Sequence, residues 1–426
     1  MLKSMKNNRK EGEKMNTLEI AKKIKDAGGR LYLVGGAVRD KFLRKNKSDE
    51  DFCVTGITSL EFQKLFPEAI IRGKAFEVFD MDGKEFALAR REVKSGVGHK
   101  EFDIKTGKEI TIEEDLIRRD ITINSIAQDV LTEEIVDPFN GYKDIENKII
   151  RATSKHFIED PLRVYRVARF SAELQFQVDK HTIEMMKNIK EELKYLSKER
   201  VFTEFKKALF TDKPSIFFKV LRDAEVLNIH FKPIYDLIGA LQPEKYHPEG
   251  DAYNHTMICV DKAATMTNNL EIRFATLVHD LGKGTTPIEE YPHHYGHEGR
   301  GVEIVSEFSK QLSIPKNWEK CGKTSCKEHM RGGIFYKMKP SKKVEFIERV
   351  DKSYLGLDGL QIVVNCDKVN NETLEKEQYN FASIGKMCFK EVTAKKVGEK
   401  YKLEEGILLG KKLHEERVKW MKNLCI

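Results

Sequence analysis

Two hydrophobic periods alternate along the first 150 residues. Leu18, Ile20, Ala21 and Ile24 fall at helical spacing and the run stops at Gly28-Gly29, which predicts a helix over 18–27. Residues 30–34, RLYLV, read as a short apolar strand. Gly35 and Gly36 break it, and 37–43 resumes as helix. Residues 49–54 are strand-like and 59–66 helical. Residues 77–80 and 84–89 flank Asp82-Gly83, a hairpin turn signal. From about Thr111 onward the helical period takes over, with one short strand expected near 134–136. The stretches 161–176, 180–193, 198–210, 213–226, 254–267, 271–282, 298–312 and 341–352 each carry apolar residues at helical spacing. The pattern predicts an α+β fold: a compact head with a small mixed sheet, followed by a long, mostly α-helical body.

Composition changes this picture little. The 426 residues suit two to three domains, and 40% hydrophobic residues can fill a sizeable core. No apolar run approaches the roughly 20 residues that span a bilayer, so no membrane partner is expected and a cytoplasmic location is. Residues 1–14 are basic and polar without the apolar core of a secretory signal. They read as a lead-in, with Met15 as a possible start. The net charge of +7 permits an acidic partner such as RNA without demanding one. Seven irregularly spaced cysteines and no CxxC argue for reduced thiols.

Chemistry enters at LYLVGGAVRD, residues 31–40. A strand ends at two glycines and a helix begins at once. Gly35 and Gly36 let a phosphate approach the backbone, and Arg39 can add a charged fork. The next strand carries SDEDF, residues 48–52. Asp49 and Asp51 are two apart, so strand geometry sets both carboxylates on one face. Such a pair repels unless a cation lies between its members, and it suits Mg²⁺ bound with substrate phosphates. Two ions there activate an attacking hydroxyl and stabilise departing pyrophosphate.

Together GGAVRD and D-x-D resemble the DNA polymerase β-like nucleotidyltransferases. The likeness is narrower to the class II tRNA nucleotidyltransferases and bacterial poly(A) polymerases. It continues in order through RRDITIN (Arg118, Arg119, Asp120, Asn124), DPFNGYKD (Asp137, Pro138, Gly141, Asp144), EDPLRVYRVARF at 159–170 and KERVFTEFKKAL at 198–209. The resemblance implies template-independent addition of CCA to the 3′ end of tRNA from CTP and ATP. It assigns base selection to Asp160 and Arg163, and nucleotide contact to Arg119, Arg166 and Arg169. Asp120 and Asn124 are expected at the ribose or in the pocket frame. Physically, cytosine and adenine each pair an amine donor with a ring-nitrogen acceptor. A carboxylate and a guanidinium match that edge, and guanine and uracil do not. Read without the resemblance, Asp160 is also a good N-cap, and Arg163, Arg166 and Arg169 lie along one side of a helix.

Residues 87–116 carry Gly96, Gly98 and few apolar positions, which predicts a mobile loop. In the family a loop here switches the pocket from CTP to ATP, which favours complete CCA synthesis. Residues 71–81, with Ala75 before Phe76, look more like the CCA-adding pattern; poly(A) polymerase is the alternative.

A second cluster begins at His255 and continues with His279-Asp280 in HDLGKG. Imidazole and carboxylate together suit a divalent transition metal. HDLGKG resembles the HD phosphohydrolase motif and, with Asp367, implies a metal-dependent phosphatase and 2′,3′-cyclic phosphodiesterase, with Ni²⁺ a candidate ion. His293, His294, His297 and His329 are candidates for further ligands or phosphate contacts. The expected organisation is a lead-in and first helix over 1–28, the nucleotidyltransferase head over 29–150, a helical neck over 151–245, an HD domain over 246–370 and a helical tail over 371–426. The implied partners are CTP, ATP and the acceptor arm and 3′ end of tRNA, bound by a monomer or a homodimer.

Overall fold

A computed structural model describes residues 15–45, 50–72, 77–94, 102–368 and 380–424. The chain divides into two units, one over 1–167 and 176–195, the other over 168–175 and 196–426.

The described residues of the first unit hold eleven strands: β1 (Arg30–Val34), β2 (Asp51–Thr55), β3 (Ile70–Arg72), β4 (Val78–Met81), β5 (Lys84–Leu88), β6 (Arg90–Lys94), β7 (Phe102–Thr106), β8 (Ala127–Asp129), β9 (Ile135–Val136), and the short parallel pair β10 (Ile149–Ile150) and β11 (Gln177–Val178). Seven make one sheet in the order β3-β4-β5-β2-β1-β8-β9. The β2–β5 pair is parallel and the others are antiparallel, so the sheet is mixed as expected. Helices α1 (Thr17–Asp26), α2 (Gly36–Phe42), α3 (Ser59–Leu65), α4 (Ile112–Leu116) and α5 (Gly141–Glu146) accompany it.

Strand alternation sorts the core into two faces. Tyr32, Val34, Cys53 and Ala127 pack with Ile112 and Leu116 on one. Phe52 and Phe86 stack at 5.0 Å on the other, where Phe62 of α3 adds to an aromatic cluster with Phe66 and Phe79. Thr58 caps α3 through a reciprocal box with Glu61, which fixes where that helix begins.

The expected loop over 87–116 is a different object. β6 and β7 pair as a separate antiparallel hairpin, and Thr111 opens α4 with a second capping box. RREVK carries charges on both faces and lacks the apolar alternation that announces a half-buried strand, while FDIKT offers only Phe102 and Ile104 in alternation with Asp103 and Lys105. Gly96 and Gly98 lie outside the described residues.

Helix α6 (Leu162–Leu174) belongs to both units. The described part of the second unit is helical. Its largest elements are Lys198–Leu209, Ser215–Asp223, Ala252–Met266, Leu270–Val278, His297–Gln311, Lys316–Gly333, Pro340–Asp351, Gly356–Asp367, Phe381–Glu391, Ala394–Tyr401 and Ile407–Asn423. The 18-residue helix Lys316–Gly333 was not among those the hydrophobic period predicts. Its inward positions are Trp318, Cys321, Ser325, Cys326 and His329, a face too polar to register as apolar. Six cysteines of the described residues are free and buried, and Cys425 lies outside those residues. No helix among the described residues is long and apolar enough to cross a membrane.

Candidate functional site

In the head, β1 and β2 bring two predicted features to one sheet end. Asp51 pairs in register with Val34, the residue before the Gly35-Gly36 turn. It also pairs with Glu85 on β5, so register sets Asp51 and Glu85 side by side on one face. Glu85 was not foreseen. In KEFAL it reads as an ordinary polar strand position, and only the parallel pairing reveals its neighbour. Asp49 lies outside the described residues.

Gly35 adopts φ +67°, a backbone state that favours glycine, and a β-carbon there would lie 3.1 Å from the Arg119 guanidinium. Its amide donates to the Ile126 carbonyl at 3.2 Å. One of the N–H groups expected to face an anion is therefore committed to the fold. Gly36 opens α2, which carries Arg39 back toward the turn.

From Arg39 a buried polar chain extends. Its guanidinium donates to Asn124 Oδ1 at 2.7 Å and pairs with Asp40 at 2.9 Å. Asn124 Nδ2 donates to Asp120 Oδ1 at 3.2 Å, and Arg166 Nε donates to Asp120 Oδ2 at 2.8 Å. Arg39, Asn124, Asp120 and Arg166 are thus one network. Burial pushes the Asp120 carboxyl up, but Arg166, Arg163 and Asn124 outweigh it and hold the group at about 2. Asp115 is treated alike: burial opposes its charge, and Arg118 and Arg119 bring it down to about 2. Arg119 reaches Asp115 Oδ2 at 3.0 Å and is paired there.

Asp160 accepts from the Leu162 amide at 3.0 Å, the N-capping geometry its sequence position predicts. Arg163 is buried and donates to the carbonyls of His156 and Arg118, both at 2.5 Å. Arg169 lies in the second unit, where Glu204 and Glu173 each pair with it at 2.6 Å.

The second cluster lies wholly in the second unit. Helix Ala252–Met266, capped by Asp251, supplies His255. His279-Asp280 follow Leu270–Val278, and Asp367 ends Gly356–Asp367. These four are buried, and their facing atoms close into one group. His255 Nε2 lies 3.1 Å from Asp367 Oδ1 and 3.9 Å from Asp280 Oδ2. His279 Nε2 lies 3.3 Å from Asp280 Oδ2 and 3.7 Å from Asp367 Oδ1.

Gly282 of HDLGKG explains how the centre closes. A β-carbon there would sit 2.0 Å from the His297 carbonyl oxygen. Its absence lets helix His297–Gln311 approach the HD turn and bring His297 beside Asp280. His329 arrives from Lys316–Gly333. His294 turns aside, between Thr286 Oγ1 and the Leu241 carbonyl. His293 is exposed and stacks on Tyr295.

The donor set fits a divalent transition metal. His279 Nε2, both Asp280 oxygens and Asp367 Oδ2 are buried without a well-angled hydrogen bond. Lys283 Nζ does lie 2.7 Å from Asp280 Oδ2, and Lys368 Nζ lies 2.9 Å from Asp367 Oδ2, so compensation there is by charge rather than by directed bonds. Burial disfavours protonated His279, yet Asp280 and Asp367 hold it up to about 10. The centre draws in positive charge. Glu249, missed in the sequence, accepts a hydrogen bond from His255 Nδ1 at 2.5 Å and so turns Nε2 inward. A cavity of about 650 Å³ opens on the cluster, bordered by His255, Lys283, His297 and Asp367.

Comparison with known proteins gives a concordant result. Residues 31–151 match the poly A polymerase head domain, 175–237 the probable RNA and SrmB-binding site of polymerase A, and 252–353 the HD domain. The fold resembles the Thermotoga maritima CCA-adding enzyme complexed with tRNA, with a TM-score of 0.64 at 17% identity over 95% of this chain and 90% of that one. A multifunctional CCA protein of Shewanella denitrificans is 39% identical over 86% of this chain and 91% of its own. That of Pseudomonas fluorescens is 37% identical over 92% and 98%. The chain belongs to the family of multifunctional CCA proteins.

Proposed function

We propose that this chain adds C, C and A to the 3′ end of tRNA without a template, and that its HD centre hydrolyses phosphate esters. The observation that carries the first activity is the placement of Asp51 opposite the residue before the diglycine turn, with Glu85 beside it. Asp49 and Asp51 would hold Mg²⁺, which supplies Lewis-acid stabilisation of the triphosphate. Gly35, Gly36 and Arg39 then flank the phosphates. The Arg39–Asn124–Asp120–Arg166 chain holds the pocket frame, and Arg119 keeps a free side toward the nucleotide.

Asp160 and Arg163 remain the base-selecting pair in this reading. Arg163 is already anchored on two backbone carbonyls, so its guanidinium is held still before any base arrives. The partners of Arg169 are both carboxylates, and they favour a cross-tie from α6 to helix Lys198–Leu209 over nucleotide contact.

The relatives are multifunctional CCA proteins, which favours CCA addition over polyadenylation. Incubating the protein with tRNA lacking its 3′ CCA, Mg²⁺, labelled CTP and ATP tests this at nucleotide resolution. The reading predicts C, C, A and a stop. A long run of A supports poly(A) polymerase instead, and no incorporation removes the polymerase reading.

The HD centre would take His255, His279, Asp280 and Asp367 as ligands to a transition metal such as Ni²⁺. Bound there, the metal supplies an activated water. The cavity beside it admits a nucleotide-sized phosphate ester, and Lys283 and Lys368 offer charge for the phosphate. tRNA as substrate favours a cytoplasmic location for both activities.

A further inference from the structure

We infer that Gln242 is a substrate-binding residue of the HD centre, donating from Nε2 to a phosphoryl oxygen of the ester. This rests on the reading of the centre as a phosphohydrolase and adds to it a contact outside the HD motif.

Gln242 carries a donor without a partner. The residue is buried, and its Oε1 lies 2.5 Å from Lys283 Nζ. An ammonium group can only donate, so the amide oxygen must face the lysine and the carboxamide cannot be turned over. That leaves the Nε2 group on the other side. It is buried and has no acceptor among the described residues. A buried N–H without an acceptor is costly, and such a group calls for a ligand or a water to complete it. Gln242 borders the cavity on which the His255 and Asp367 ligands open.

The backbone around it is fixed from two sides. The Gln242 amide donates to the Gly250 carbonyl at 3.0 Å, and Leu241 bridges to Asp251, the cap of the helix that carries His255. On the other side, His294 Nε2 donates to the Leu241 carbonyl at 2.9 Å. In the neutral ring Nδ1 then accepts, from Thr286 Oγ1 at 2.9 Å, and Arg300 donates to the same hydroxyl oxygen at 2.8 Å. Donors and acceptors match along this chain from Arg300 to Leu241. It ends beside a carboxamide whose Nε2 hydrogens are unspent. His294, a ligand candidate in the sequence, therefore serves the turn that presents Gln242.

The neighbours point to an anionic acceptor. Lys283 Nζ also lies 2.7 Å from Asp280 Oδ2, so the lysine joins the carboxamide to the metal cluster. An ammonium and an amide thus stand together beside a metal-binding carboxylate. A phosphate ester held at the ion brings charged oxygens to this wall of the cavity. Hydrogen bonds to such oxygens are among the strong ones, and a neutral amide makes one without adding charge to the cluster.

The test compares Gln242→Glu and Gln242→Met with the wild type, in full-length protein carrying its HD metal. Glutamate keeps an acceptor for Lys283 and replaces the donor with an anion. Methionine removes both. Metal content, calorimetric binding of inorganic phosphate without Mg²⁺ or nucleotide, and hydrolysis of a nucleoside 2′,3′-cyclic phosphate are read on each. Both variants should keep the metal and bind phosphate about 10-fold or more weakly, with a matching fall in kcat/KM. The fall should be larger for glutamate, which repels the phosphate. CCA incorporation should be unchanged, which reports a folded chain. Wild-type phosphate binding and kcat/KM in both variants overturn the inference and leave the amide to a water. Losses that come only with loss of the metal overturn it too, because Gln242 then supports the ion. A wild-type protein that hydrolyses no ester removes the phosphohydrolase reading itself, and that result separates the two failures.

Discussion

The head and the HD centre handle buried charge in opposite ways. In the head, buried carboxylates meet matched donors: Asp120 meets Arg166, Asp115 meets Arg118 and Arg119, and Asp129 accepts from the Leu131 and Thr132 amides. Donors and acceptors alternate from Arg39 through Asn124 to Asp120. In the HD centre, imidazole nitrogens and carboxylate oxygens face one another, with Lys283 and Lys368 as the lysines beside them. The head frame is complete before its substrate arrives, whereas the HD centre is completed by a cation. The lesson is that matched pairs describe a scaffold for a ligand that comes and goes, while converging acceptors describe a resident ion.

That contrast can be broken from either side. Among substitutions outside the carboxylates and imidazoles of the two centres, the largest effect is expected at Gly282. Gly282→Val drives a side chain into the His297 carbonyl, displaced from it by only 2.0 Å at the β-carbon. Metal-dependent phosphatase activity should fall by about 100-fold, as when a supporting group around a metal is lost. CCA incorporation should persist, so both activities are assayed on one preparation.

Next is Asp120→Ala, which strips the acceptor from Arg166 and Asn124. Breaking a fully buried pair costs roughly 3–5 kcal/mol. The Arg166 side chain is 35% exposed, so solvent screening reduces the expected loss to about 2–3 kcal/mol. An earlier head transition in urea, with HD metal content unchanged, checks it.

Arg163→Ala should act on choice more than on stability. Losing one matched polar contact, worth about 1–3 kcal/mol, predicts roughly a tenfold or greater fall in the preference for C and A over G and U. Competition between labelled nucleotides measures that ratio. An unchanged ratio removes Arg163 from base selection.

The smallest effect is on pH. Asp115 and Asp120 sit at about 2 in the folded head against an ordinary 3.8. Their contribution is therefore fully present above about 4 and is lost as pH falls toward 2. Amide exchange of the head strands should stay level from pH 7 to about 5 once corrected for intrinsic rate, and protection should drop below about 4.

Much of this was legible in the sequence because the local signals are short and strong. The diglycine turn, the Asp82-Gly83 hairpin and the HD pair each need only a few adjacent residues. The β6–β7 hairpin was hidden because RREVK has no apolar alternation and FDIKT alternates over only two apolar residues, so neither strand stands out without the pairing that joins them. Helix Lys316–Gly333 was hidden because its inward face carries Cys321, Ser325, Cys326 and His329 instead of aliphatic side chains. The same polarity that masked the helix delivers His329 to Asp280. Glu85 and Glu249 were missed for another reason: each matters through a partner distant in sequence or through a turn geometry, Asp51 for the first and His255 for the second.

The most direct test of two separate centres in one chain is CCA incorporation by Asp51→Ala, measured beside metal-dependent phosphatase activity in the same sample. Loss of a metal-binding carboxylate removes several kcal/mol of transition-state stabilisation, so incorporation should fall by about 1000-fold or more while phosphatase activity is kept. Undiminished incorporation of C and A by that variant would contradict the account.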